Sequence, residues 1–192
     1  MFAVFALDAV AGAAAEAHEF NALSTPITAE GTSHTFTAGT AIIKCSTAHF
    51  SYTGATGKFA KVTIVPSYEG CLVREVAALV TVIKAKFEFG IVKEIKSNEF
   101  ALSSAIVGEA GAELQVTATI EGEECEVVFP AQAIAGEATK FVNNVGKTGG
   151  EVKAKLEKVE YKSNSKCAGL VGSEGKNGKY EGAASQTGLI VE

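Results

Sequence analysis

Apolar and polar side chains alternate along most of this chain with a period of two. Leu114, Val116, Ala118 and Ile120 are interleaved with Glu113, Gln115, Thr117, Thr119 and Glu121, the signature of a strand with one buried face. Leu79, Ile83, Ala85, Phe87 and Phe89 form a second row with Lys84, Lys86 and Glu88 outward; Ala60, Val62 and Ile64, and Cys125, Val127 and Phe129, form two more. From Glu151 to Lys162 the apolar set is Val152, Ala154 and Leu156, then Val159 and Tyr161, so the phase slips at Glu157-Lys158 and predicts a β-bulge there. Turn signals separate the rows: Thr53-Gly54, Thr56-Gly57, Glu69-Gly70, Glu121-Gly122, Lys147 to Gly150 and Gly172 to Gly178. Ser97 to Ala112 is ambiguous, and no window after the first seventeen residues shows a convincing helical period. The expectation is an all-β domain, an antiparallel β-sandwich or partly closed barrel of about ten to twelve strands. A weak echo, Val62-Thr63 before Cys71 and Val116-Thr117 before Cys125 at the same spacing, suggests a duplicated hairpin.

The first seventeen residues differ from the rest. Met1 to Ala17 is apolar except for Asp8 and Glu16 and ends in Ala15-Glu16-Ala17, an A-x-A cleavage site before His18. An apolar run of about 14 residues is short for a membrane span, so 1–17 reads as a secretory signal peptide and 18–192 as a single exported β domain. The segment lacks the usual basic end, which a start codon assigned too far downstream explains; an Ala-rich buried helix is the competing reading. No later segment reaches transmembrane length.

The 192 residues carry 17 basic against 22 acidic groups, for a net charge of −5, so a basic surface for nucleic acid is excluded. Four cysteines, Cys45, Cys71, Cys125 and Cys167, stand far apart with no C-x-x-C pair, which favours disulfides over a zinc site. Four cysteines allow three connectivities, and spacing does not choose among them.

Phe36-Thr37-Ala38-Gly39, Lys44-Cys45-Ser46-Thr47-Ala48, Val65-Pro66-Ser67-Tyr68-Glu69-Gly70-Cys71, Cys125-Glu126-Val127, Val159-Glu160-Tyr161 and Gly188 to Glu192 carry a resemblance over nearly the whole mature chain. The chain resembles a family of uncharacterised exported bacterial β-proteins with six cysteines, in which Ala85 and Gly108 occupy the third and fourth cysteine positions. The resemblance implies export, a β-rich fold, and bridges Cys45–Cys71 and Cys125–Cys167. It brings no known activity and no catalytic residues.

The chemistry is defined by what is missing. Asp8 is the only aspartate, so a mature chain starting at His18 has none, and calcium loops and aspartic dyads cannot be built. Glu121, Glu123, Glu124 and Glu126 read as a solvated acidic turn, and no pattern selects a glutamate pair for glycoside hydrolysis. There is no G-x-S-x-G and no phosphate-binding glycine loop. His34 reads as a turn residue and His49 as an ordinary strand residue. If cleavage follows Ala17, the free amine and imidazole of His18, with His34 or His49, offer nitrogen ligands for Cu(II). Trp is absent; among four tyrosines, Tyr180 in Lys176-Asn177-Gly178-Lys179-Tyr180 reads as part of an exposed hairpin and a candidate ligand contact. The resulting expectation is an exported, disulfide-bonded, non-catalytic domain without a resident cofactor, acting at or outside the cell envelope by structure or binding. The sequence names no partner; a surface module for cell-wall or environmental polysaccharide is the second reading, with a surface protein as the alternative partner, and copper binding through His18 is the third.

Overall fold

A computed structural model of the protein describes residues 18–167 and 169–192. Among them there is no helix. Twelve strands follow in chain order: β1 (Phe20–Ala22), β2 (Ile27–Ala38), β3 (Ala41–Tyr52), β4 (Gly57–Phe59), β5 (Lys61–Val73), β6 (Val76–Lys96), β7 (Glu99–Ile120), β8 (Glu123–Pro130), β9 (Gln132–Asn143), β10 (Gly149–Ser163), β11 (Glu174–Thr187) and β12 (Leu189–Val191). Two of the rows read from the sequence turn inward as expected: Leu114, Val116, Ala118 and Ile120 on β7, and Cys125, Val127 and Phe129 on β8, are all buried, whereas in the other two rows Ala60 and Leu79 are exposed.

The large sheet runs β11-β2-β3-β5-β6-β7-β8-β10-β9, with further pairings of β11 to β10 and β7 to β9. β8 and β9 succeed one another along the same flank of β7, interrupted at Ala131, and both also pair with β10. Because β10 then pairs with β11 from Gly149↔Thr187 to Lys162↔Glu174, and β11 with β2, the sheet returns to its own first strand. The result is a closed up-and-down barrel of eight long antiparallel staves, counting β8 and β9 as one. Closure removes the long free edges that an open sheet of this size would expose.

Both ends are covered. At one, β12, β1 and β4 form a small sheet, and Phe20 of β1 packs edge-on against Phe141 with ring centroids 6.1 Å apart. Asn143 completes this plug: its amide donates to the Val191 carbonyl at 2.7 Å and accepts from the Val191 N–H at 2.9 Å, imitating a strand partner. At the other end the 164–173 loop buries Leu170 and Val171, and the Leu170 carbonyl accepts from both the N–H and the hydroxyl of Thr40. Cys125–Cys167 fastens this loop to β8, while Cys45–Cys71 joins directly opposed residues of β3 and β5. In β6 and β7, Ala85 lies opposite Gly108, the register that a cross-strand bridge between those positions requires.

The wall has two seams. β5 leaves its ladder with β6 between Ile64 and Cys71, where Pro66 has no N–H to offer. β11 leaves β2 between Glu181 and Ser185. β11, β2, β3 and β5 form a four-stranded wall that contains the interruption between β11 and β2 and ends at the one between β5 and β6.

One local expectation is met and several are corrected. The bulge at Glu157-Lys158 is present, with Lys158 at φ 58°. A second bulge, at Ile83-Lys84, escaped the pattern: both residues oppose Glu113, Lys84 has φ 52°, and the phase of β6 reverses, so Val80 points inward and Leu79 is 63% exposed. Glu69-Gly70 is not a turn but an irregular stretch inside β5, with Gly70 at φ 58° beside the Ser46 hydroxyl. The suspected hairpin repeat dissolves, because Val62 to Cys71 lies within one strand whereas Val116 to Cys125 spans the β7–β8 turn. Lys176 to Tyr180 is strand β11, not a hairpin tip, and His34 is in strand β2, not a turn. The reading of 1–17 as a signal peptide falls outside the described residues.

Candidate functional site

The residues singled out for chemistry occupy different sides of the barrel wall. Tyr180 and His34 face inward and are fully enclosed; Tyr180 is therefore not a surface ligand contact. His49 faces outward on β3 with its Nε2 3.9 Å from Glu69. His18 sits at the plugged end, its ring 5.0 Å from Phe100 and its Nε2 3.7 Å from Glu94. The three imidazoles proposed as copper ligands are thus not assembled, and among the described residues no three His, Cys, Asp or Glu side chains converge as a metal site.

Inside, His34 Nδ1 lies 2.7 Å from the Tyr180 hydroxyl, and Tyr68 donates to the Tyr180 oxygen at 3.4 Å. Burial pushes both phenols up, and pushes the His34 imidazole down against the opposing pull of the Ala183 carbonyl. All three groups are neutral at pH 7 as a result. Tyr180 donates to Nδ1, so the proton of the ring resides on Nε2, which faces the Ala183 carbonyl at the β2–β11 seam without an aligned hydrogen bond. Gly31 and Gly182 make room for the ring, since a Cβ at either would collide with it. Phe36 and Phe87 pack on Tyr180 with centroids 4.9 and 5.5 Å away. The adjoining space is an apolar cavity of only about 50 Å³. A dry cavity of roughly 150 Å³ is what admits a benzene ring. The interior is therefore a packed core with two buried polar pairings, the His34–Tyr180–Tyr68 knot and a Ser104–Thr139 hydrogen bond, and little free space.

The outer face of the four-stranded wall is different. A groove of about 510 Å³ runs across β11, β2, β3 and β5, within the range of small-ligand sites. Strand register explains its lining. Ser185, Glu30, His49 and Ser67 stand opposite one another in a single row across the four strands. Thr28, Ser51 and Val65 form the row on one side of it, and Thr32, Thr47 and Glu69 the row on the other side, at the margin of the groove. Phe50 and Pro66, pointing the other way, supply the floor. Hydroxyls that donate and accept surround the one carboxylate of the lining, Glu30, which only accepts, and the lining contains no Lys or Arg. Cys45–Cys71 links two of the four strands and holds their register.

The sequence carries a signal for this face in its polar phase rather than its apolar one. Thr28, Glu30 and Thr32 on β2, and Thr47, His49 and Ser51 on β3, are period-two polar sets; attention to the apolar phase passed over them. Comparison with known proteins finds no matching family model, no matching curated protein and no matching solved structure.

Proposed function

We propose that this chain is an exported, non-catalytic binding module whose ligand lies in the outer groove of β11, β2, β3 and β5. The observation that carries the reading is the contrast between that groove and the filled interior: one offers about 510 Å³ of polar, accessible space, the other about 50 Å³ of enclosed apolar space. Two disulfides in a barrel with covered ends suit a domain exposed to an oxidising medium outside the cell.

The chemistry of the lining favours a neutral polysaccharide of the cell wall or the surroundings. Sugar hydroxyls both donate and accept, as do Thr28, Ser51, Ser67 and Ser185, and Glu30 accepts from two hydroxyls at once. Val65 supplies an apolar contact for a ring's C–H face. Glu30 and Glu69 without a neighbouring Lys or Arg disfavour phosphate- or carboxylate-bearing polymers. Co-sedimentation of the oxidised protein with insoluble neutral polysaccharides and purified cell walls tests this. Saturable binding that persists at moderate salt and weakens about tenfold in Glu30→Ala is expected, that factor being roughly one charged hydrogen bond. Binding unaffected by Glu30→Ala, or no binding to any polymer, rejects the groove as the site.

A further inference from the structure

The outer groove has a direction. Ser185, Glu30, His49 and Ser67 form one rail of outward side chains, a single residue from each of β11, β2, β3 and β5. Two residues along the strands, about 7 Å away, Thr28, Ser51 and Val65 form a second rail parallel to the first. Ala29, Phe50 and Pro66 lie between the rails and floor the trough. The barrel wall curves outward as a whole, yet side chains of all four strands line this one hollow, so the surface is concave over its length. The trough therefore runs across the strands and not along them.

A ligand lying in such a trough reaches a new strand at every step, and neighbouring strands are about 4.8 Å apart. That spacing is close to the length of one pyranose unit in an extended chain, where the sugars are joined 1→4 through equatorial bonds. Each unit of an extended chain thus comes level with one strand and meets one polar side chain of the first rail. Ser185 and Ser67 donate and accept, Glu30 accepts, and the His49 imidazole does either according to its tautomer. A chain joined through axial bonds coils, advances less per unit and falls out of step with the strands.

From this match of periods we infer that the groove takes a linear neutral glycan with equatorial 1→4 bonds, of the β-1,4-glucan or β-1,4-xylan kind, lying across the strands with one unit on each of the four. The inference rests on the groove reading proposed above and adds the ligand's direction, linkage and length.

Calorimetric titration of the oxidised full chain with β-1,4-linked glucose or xylose oligomers of two to six units, carried into the millimolar range, tests it. Affinity is expected to rise about fivefold per added unit up to the tetrasaccharide, roughly one hydrogen bond each, and to change less than about twofold beyond it. Glucose oligomers of the same length with α-1,4 bonds should bind at least about tenfold more weakly. Ser185→Ala and Ser67→Ala, one at each end of the rail, should each bring the tetrasaccharide down to about the affinity of the wild-type trisaccharide. Both side chains are exposed, so these variants keep the wild-type circular dichroism spectrum. Affinity that is flat from the disaccharide onward, or that favours α-1,4 bonds, overturns the inference; if Glu30→Ala still weakens that binding, the groove stands as the site of a different glycan. Binding to an insoluble polymer that depends on Glu30, with no binding of any β-1,4 oligomer, overturns it in the same way. No binding to any oligomer or polymer rejects the groove reading itself, and the inference with it.

Discussion

His34 is held neutral by burial, and its partners are arranged for that form: Tyr180 donates to Nδ1, and the Ala183 carbonyl faces Nε2. In the unfolded chain the same imidazole takes up a proton below about pH 6.5. The folded-state value lies lower, so between the two the unfolded state binds more protons, and stability falls as the pH drops through that window. Urea midpoints measured at pH 7.5, 6.5 and 5.5 should therefore decline, and the decline should be shallower in His34→Gln, whose amide oxygen still accepts from Tyr180 but does not titrate. Equal slopes in the two proteins would contradict the assignment. Asn143 is another buried polar side chain with a defined task, pairing the free edge of β12 at Val191. Asn143→Ala strands one N–H and one carbonyl under the plug and should cost ~2–3 kcal/mol in urea denaturation.

Among the elements, what was legible in the sequence is what depends on nearest neighbours. Strand rows such as Leu114 to Ile120 and the bulge at Lys158 follow from a local alternation of side chains. So does the Glu121-Gly122 turn, where φ is 54° and 86° and both residues are left-handed, the pattern of a type I′ hairpin. Asn is more at ease there than Glu, and Glu121→Asn should raise stability by ~0.5–1 kcal/mol, read as an upward shift of the thermal midpoint. The bulge at Lys84 was not legible because no apolar residue is displaced by it; Leu79 and Ile83 keep an alternation that the backbone then inverts. Tyr180 was misplaced for a similar reason. Its stretch Lys176-Asn177-Gly178-Lys179 has turn composition, yet Gly178 is required because a Cβ there would crowd the Val159 carbonyl across the sheet. Glycine marks a close approach as often as a turn, and only the neighbouring strand distinguishes them.

For the whole molecule, closure of the barrel is the feature that decides where function resides. An all-β chain of this length with polar and apolar faces is compatible with a sandwich, a ligand-holding barrel or a filled one. Which of these forms depends on the pairing of β11 with both β10 and β2, and such contacts are remote in sequence. Once the barrel is closed, Phe36, Phe87, Phe129 and Tyr180 fill its centre, and the ends are covered by β1, β12 and the 164–173 loop. On the function proposed above, recognition belongs to the outside, where the Ser185–Glu30–His49–Ser67 row lies on a wall held by Cys45–Cys71. The most direct measurement of this claim is a titration of ¹⁵N-labelled oxidised protein with soluble fragments of a neutral polysaccharide, followed by amide chemical shifts. Shifts confined to Thr28, Glu30, His49, Ser51, Ser67 and Ser185, with the amides of His34 and Tyr180 unmoved, are the predicted result. Shifts centred on His34 and Tyr180, or no shifts at any concentration, would contradict it.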